Sequence, residues 1–209
     1  HKSWGNAIEF NEAADKMGVD VMRWLYCSHQ PENDLLFGWK PGDETRRQFL
    51  LPLWNVYSFF VTYARLDGWV PSPLTPLPKG EGNLLDRWIL ARLNQVIGRV
   101  TDALEASTPP AATLAVNELL DDLTNWYVRR SRRRFWKSES DTDKQDAYAT
   151  LYQVLVTLAR LLAPFTPFVA EVIYQNLVRG VDAAAPASVH HTDWPQPDPA
   201  AVNEALLEQ

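Results

Sequence analysis

Arginine and tryptophan are interleaved in one short run, Asn125-Trp126-Tyr127-Val128-Arg129-Arg130-Ser131-Arg132-Arg133-Arg134-Phe135-Trp136-Lys137. From Trp126 to Lys137 it carries five Arg, one Lys and no acid, a charge of +6 in a chain whose net charge is −6. Guanidinium forks pair bidentately with phosphates and stack on bases. Aromatic faces take up the splayed bases of single-stranded loops. An acidic chain with its cations and indoles gathered in one segment shapes a local field, suited to a polyanion that docks at one place. A second candidate is Lys2-Ser3-Trp4-Gly5-Asn6. A mobile lysine beside a hydroxyl and a glycine can follow a triphosphate and stabilise developing negative charge. Taken alone, such a run ordinarily means a polar loop.

The basic run continues a helical pattern. Val116, Leu120, Leu123 and Tyr127 recur at spacings of four, three and four, and the stripe then runs into Arg130 and Arg134. Arg129, Arg132, Arg133 and Trp136 fall on a neighbouring face. The first half of this helix is therefore expected to anchor it while the second half presents its cations and indoles. Arg130 and Arg134, being on the apolar stripe, could instead pin neighbouring helices, and Trp126 could be core. The competing reading of the whole run is structural, with solvated arginines or arginines paired to acids such as Glu118, Asp121 and Asp122. A helix from Thr113 to Lys137 would be roughly 37 Å long, enough to cross a bundle and project beyond it.

The rest of the chain supplies the bundle. Glu12 to Met17 reads as a short helix closed by Gly18, and Asp20 as the cap of a second, Val21 to Cys27, with Met22, Leu25 and Tyr26 inward. Ser28 to Lys40 reads as a loop with a short strand at 34–39. Pro41-Gly42-Asp43 marks a boundary, and Asp43 reads as the cap of a long helix to about Leu66, apolar nearly all round, in which Pro52 predicts a kink. A Pro- and Gly-rich connector follows, from Asp67 to Gly82. Asn83 starts an amphipathic helix with the stripe Leu85, Ile89, Leu93, Val96, Val100 and Leu104. Thr142 or Asp143 opens another, whose stripe Tyr148, Leu151, Leu155, Leu158 and Leu162 favours lengthwise antiparallel packing over a dimer seam. Pro164 ends it, and Thr166-Pro167 restarts a helix that runs to about Val178 and stops at Gly180. In the Ala- and Pro-rich stretch beyond, the His190-His191 pair lacks a third ligand at helical spacing and reads as a short extended segment against the bundle. Asp198-Pro199 would cap a last helix.

Bulk numbers bound the class. Hydrophobic residues at 46% and charged residues at 22% suit a globular protein with a sizeable core. No run approaches the ~18 apolar residues of a membrane span. The single Cys27 excludes an internal disulfide framework and fits a reducing compartment. With His1 rather than Met at its start, the chain reads as a piece of something longer.

A family resemblance sharpens the reading. His1 to Tyr26 looks like the end of the "KMSKS" loop of class I aminoacyl-tRNA synthetases and the helix-turn-helix that follows it. Lys2 and Ser3 match the motif's last two positions, whose residues contact ATP in that family, while His1 stands where the family has Ser. Asp86-Arg87-Trp88-Ile89-Leu90, the run Asn125 to Lys137, and Ala147 to Leu177 resemble the anticodon-binding bundle of the isoleucyl branch. Asp86-Arg87-Trp88 is shared with the valyl branch, which places acids after its Trp-Tyr pair. Ala163-Pro164-Phe165-Thr166-Pro167-Phe168 and Ser188-Val189-His190 through Trp194-Pro195 fit the isoleucyl side.

The resemblance implies an all-α antiparallel bundle with a small stem-contact helix-turn-helix and short strand at its N-terminus. Its expected divisions are 1–41, the loop end and stem-contact region; 42–182, the anticodon-binding bundle; and 183–209, an extended tail and terminal helix. It implies ATP binding by Lys2 and Ser3, and tRNA binding by Trp126, Arg129, Arg130, Arg132, Arg133, Arg134, Trp136 and Lys137. ATP and Mg would serve the parent enzyme, an isoleucine-tRNA ligase. The piece itself, lacking a His-x-Gly-His element and the alternating strands and helices of a nucleotide fold, would be inactive, with no catalytic residue, bound cofactor or metal. The implied partners are tRNA(Ile) and the missing catalytic domain of the same chain, with no membrane and no DNA, in a cytoplasmic monomer. The alternatives are the valyl counterpart and a non-catalytic helical scaffold whose basic groove takes an acidic protein.

Overall fold

Seven helices make up the described residues of the computed structural model, 7–71, 83–136 and 141–198, in which no strand occurs and only the backbone of Asp141 is described. They are α1 (Phe10–Met17), α2 (Val19–Cys27), α3 (39–66), α4 (Leu84–Glu105), α5 (109–136), α6 (Asp141–Leu162) and α7 (167–179), followed by a 3₁₀ turn, Val189–His191. This is the all-α bundle expected. Helix α4 packs back along α5, and α6 lies against α3, α4, α7 and the second half of α5. The apolar stripe of α4 explains its seat: Ile89, Leu93, Val96 and Val100 are all buried, with Leu85 and Leu104 at the margin. The stripe of α6 is buried throughout. Asn83 caps α4, accepting the Leu85 N–H at 3.0 Å. A second, smaller apolar cluster of Ala13, Met17, Val21 and Met22 sits under α1 and α2.

Five sequence expectations are corrected. The strand at 34–39 does not form: 34–37 has no strand partner, α3 already begins at Trp39, and Phe37 stacks on Tyr26 instead. Gly42 lies within α3 and packs directly on Met17, where a Cβ would come 2.5 Å from the sulfur. Asp20 does not cap its own helix, which starts at Val19. Its carboxylate accepts the N–H of Val169 at 2.7 Å and of Phe168 at 3.4 Å, so it caps α7. Tyr26 faces outward, and Trp24 is the buried aromatic of α2, stacked on Phe49 at 3.7 Å. Finally, α5 starts at Pro109, not Thr113. A proline pair in the first turn gives up no hydrogen bond, because those N–H groups have no partner within the helix.

Three π turns interrupt the long helices. In α3 the turn Arg46–Leu50 ends two residues before Pro52, which has no N–H for the carbonyl four residues back. The expected disturbance at Pro52 takes this form. In α5 the turn is Asp122–Val128, where the Thr124 hydroxyl donates to the Leu120 carbonyl at 2.8 Å and competes with the backbone ladder. In α7 it is Gln175–Arg179, ending at Gly180.

The segment after α7 returns to the bundle. Val189 is buried, and the Trp194 indole donates to Thr101 Oγ1 at 2.9 Å. Glu171 holds the turn, accepting from Ser188 Oγ at 2.9 Å and the Val189 N–H at 3.0 Å. Burial pushes the Glu171 carboxyl up, but hydrogen bonds from Gln175, Val189 and Ser188 outweigh it and hold the group below its ordinary value of 4.5. A depressed carboxyl stabilises the folded form above its unfolded pKa and ceases to do so as pH falls through the folded one. Exchange protection of the Val189 amide should therefore fall by about 1 kcal/mol at pH values below the ordinary carboxylate range. Hydrogen exchange checks this, and Glu171→Gln should abolish the pH dependence. The helix expected beyond Asp198 lies outside the described residues.

Candidate nucleic-acid interface

The cationic segment of α5 is oriented by a network on its inner side. Asp86, near the start of α4, is fully buried and accepts from Tyr127 OH at 2.7 Å and from both terminal nitrogens of Arg134, each at 2.7 Å. The same guanidinium donates its Nε–H to both oxygens of Asp143 on α6, at 2.9 and 3.0 Å. Burial alone would push Arg134 down. The carboxylates of Asp86 and Asp143 outweigh it, so the proton is held more tightly than usual. Burial, reinforced by the Asp86 charge, pushes the Tyr127 phenol well up, which keeps its O–H as a donor. Arg134, expected among the phosphate ligands, is thus a buried strut joining α4, α5 and α6.

With Tyr127, Ser131, Arg134 and Phe135 turned inward, the other cations face out. Arg129, Arg130, Arg132 and Arg133 are exposed, and none has a carboxylate partner among the described residues. Arg130 leaves the apolar stripe altogether. A π turn takes in an extra residue, so the face downstream of Asp122–Val128 is rotated relative to an unbroken α period. Its guanidinium lies 3.7 Å over the Trp126 ring, and Trp126 is 42% exposed rather than core. Trp136 is 52% exposed. Arg132 borders a groove of about 300 Å³ between α3 and α5, with Asn55, Phe59 and Asn125 along it. Lys137, and the Lys2-Ser3 pair, lie outside the described residues.

The acids weighed as partners for the basic run are engaged elsewhere. Glu118 pairs with Arg99 at 2.5 Å and Asp122 with Arg92 at 2.7 Å, both on α4, while Asp121 accepts from Asn125 at 2.6 Å. Two aromatic neighbours escape sequence reasoning. Trp88 of α4 lies 6.4 Å from Trp126, and Tyr63 of α3 lies 6.2 Å from Trp136, ring centre to ring centre. Neither pairing follows from spacing within one helix, since both depend on how the helices cross. Among the described residues no group of three or more His, Cys, Asp or Glu could hold a metal, and no helix is long and apolar enough to cross a membrane.

The bundle is a known one. It superposes on a LeuRS chain from a ternary LeuRS–tRNA–LeuAMS complex of Agrobacterium radiobacter K84 with a TM-score of 0.70 at 21% identity, over 97% of this chain and 22% of that one. Mycobacterium tuberculosis methionyl-tRNA synthetase in complex with methionyl-adenylate gives 0.63 at 22% identity, over 91% and 41%. These likenesses define the fold as a helical bundle found in aminoacyl-tRNA synthetases. Residues 86–209 match the family model of the anticodon-binding domain of tRNA ligase, and the chain belongs to that family. Isoleucine–tRNA ligase of Thermus thermophilus is 50% identical over 100% of this chain, and that of Dehalococcoides mccartyi (strain 195) 52% identical over 98%. The chain spans 20% of the length of each.

Proposed function

We propose that this chain is the tRNA-gripping module of an isoleucine-tRNA ligase. It holds the anticodon stem-loop of tRNA(Ile) while the remainder of the parent chain carries out ATP-dependent activation of isoleucine and transfer to the tRNA 3′ end. The observation that carries this reading is the outer face of α5. Four guanidiniums without carboxylate partners among the described residues flank two exposed indoles, in a member of an anticodon-binding family. Identity near one half to isoleucine–tRNA ligases along the whole chain supports the isoleucine assignment over the valine one.

Phosphates would be met by Arg129, Arg130, Arg132 and Arg133, with Lys137 extending the row, and bases by Trp126 and Trp136. Arg130 already rests on the Trp126 face. A base stacking there would therefore share that ring with the guanidinium or displace it. The chain is read as monomeric. Work in translation supports a cytoplasmic place. ATP and magnesium belong to the parent's reaction; Lys2 and Ser3 are the only residues of this chain proposed to touch ATP. Residues 1–41 would be the loop end and stem-contact region, 42–182 the anticodon bundle, and 183–209 an extended tail and terminal helix.

The test is a gel shift of the tRNA(Ile) anticodon stem-loop against that of another tRNA at two salt concentrations. Preferential, salt-sensitive binding is expected, together with no isoleucine-dependent ATP–pyrophosphate exchange by the 209-residue chain alone. Equal affinity for both loops would sink the isoleucine assignment. Absence of binding to either would favour the scaffold reading, in which an acidic protein takes the basic face.

A further inference from the structure

Three charged side chains fasten the α1–α2 hairpin to the bundle, and each meets a helix end of the favourable sign. Asp20 of α2 accepts the Val169 and Phe168 N–H groups at the start of α7, at 2.7 and 3.4 Å. Arg23, one turn along, donates to the carbonyls of Phe165 and Pro164 just past the end of α6, each at 2.8 Å. Arg46 of α3 donates to the Lys16 and Met17 carbonyls at the end of α1, at 3.0 and 2.8 Å. A carboxylate at a helix N-terminus and guanidiniums at C-termini are the pairings that the helix dipole favours. Next to Arg23 in the chain, Trp24 supplies an aromatic seat: it is 2% exposed, stacked on Phe49 and edge-on to Phe165 at 5.8 Å.

This arrangement is more than the packing of a loose arm needs. Asp20 is 8% exposed, so its carboxylate has given up most of its water for two backbone donors on another helix. Two of the three clamps land on one spot, the α6–α7 turn at 164–169. Through α6 that turn is continuous with Asp143, the residue that holds Arg134 and hence the orientation of α5. The hairpin and the cationic face are thus two ends of one stiff path through α6.

From this geometry we infer that Asp20 and Arg23 are positioning residues for tRNA charging. They fix the angle between the α1–α2 hairpin, and whatever precedes it in the parent chain, and the bundle that grips the RNA. The inference rests on the tRNA-gripping reading above. A clamp of this kind sets the geometry between two already bound ends rather than the affinity of either. A small angular error at the hairpin grows with distance along the RNA, and misplacement of about 1 Å at a reacting group costs as much as ~100-fold in rate.

The test uses the full-length protein that carries these residues, with Asp20→Asn and Arg23→Met, and Arg23→Lys as the variant that keeps the charge at the carbonyls. Three quantities are compared with wild type: isoleucine-dependent ATP–pyrophosphate exchange, kcat and KM for tRNA aminoacylation, and the stem-loop affinity of the 209-residue chain. Exchange and stem-loop affinity should stay within about twofold, while kcat for aminoacylation falls about tenfold or more at unchanged KM for tRNA. Arg23→Lys should recover most of the loss. Aminoacylation within twofold of wild type in both variants overturns the inference. So does a parallel fall in all three quantities, which would mark a merely structural role. A wild-type 209-residue chain that leaves the stem-loop unshifted removes the RNA-gripping reading instead, and the aminoacylation comparison still decides the clamp.

Discussion

Replacing Asp86 with alanine should cost about 3–5 kcal/mol of folding stability, because it leaves a buried guanidinium short of its partner. Arg134 is 10% exposed in its side chain, and losing Asp86 strips its two terminal nitrogens of their 2.7 Å acceptors and Tyr127 of its own. Asp143 remains on Nε and, through its carboxylate and backbone carbonyl, on one terminal nitrogen, but its side chain is 38% exposed and part of its charge is already spent on water. Urea unfolding checks the prediction through its midpoint. A double replacement, Asp86→Leu with Arg134→Met, should cost far less than the sum of the single changes, since an apolar pair has no stranded charge. If Asp86→Ala shifted the midpoint by less than the equivalent of about 1 kcal/mol, water must reach Arg134 easily, and the strut described above would not orient α5.

The second large effect concerns affinity. Removing charge at Arg129, Arg132 and Arg133 together should lower the dependence of log K on log salt by roughly two to three units, at about 0.7–0.9 per phosphate contact. At low salt the binding constant for the anticodon stem-loop should drop on the order of 100-fold, at roughly 1 kcal/mol for each guanidinium–phosphate pair. Glutamine at all three positions keeps the helix and much of the side-chain length. Urea stability should then stay within about 0.5 kcal/mol, as expected for exposed positions. Arg134→Met is the counterpart control: it should lower stability while leaving the salt dependence of any folded protein unchanged. An unaltered salt slope in the triple variant would show that phosphates lie elsewhere.

Much of this molecule was legible in its sequence, for identifiable reasons. The α4 and α6 stripes are long and strictly periodic, so both helices and their buried faces follow from spacing alone. The cationic face was half legible. Arg129, Arg132, Arg133 and Trp136 fall together at helical spacing and are exposed together. Arg130 was hidden by the π turn, which alters the phase of the helix just upstream. Nothing in the run of residue types announces such a turn except Thr124, whose hydroxyl has a local alternative to solvent. Arg134 and Asp86 are 48 residues apart, and periodicity puts Arg134 on the inward stripe of its own helix without showing that it meets Asp86. Asp20 misled for a related reason. A cap residue beside a helix start is ordinarily that helix's own cap, and only the approach of α7 reveals that it serves another.

The distribution of charge has a kinetic consequence. Four exposed guanidiniums line the outer face of α5 in a strip, Arg134 is neutralised by Asp86 and Asp143, and the chain's net charge of −6 leaves an acidic balance elsewhere that repels a polyanion. Arg92 and Arg99 do not enlarge the strip, since Asp122 and Glu118 neutralise them on the flank of α4. Under the proposed function an incoming nucleic acid should be drawn to this strip, and its encounters with the acidic part of the described surface should be brief. Such a molecule should sort cargo by the direction of approach as well as by contact, capturing a compact hairpin end-on while shedding long duplexes that would have to lie across its acidic sides.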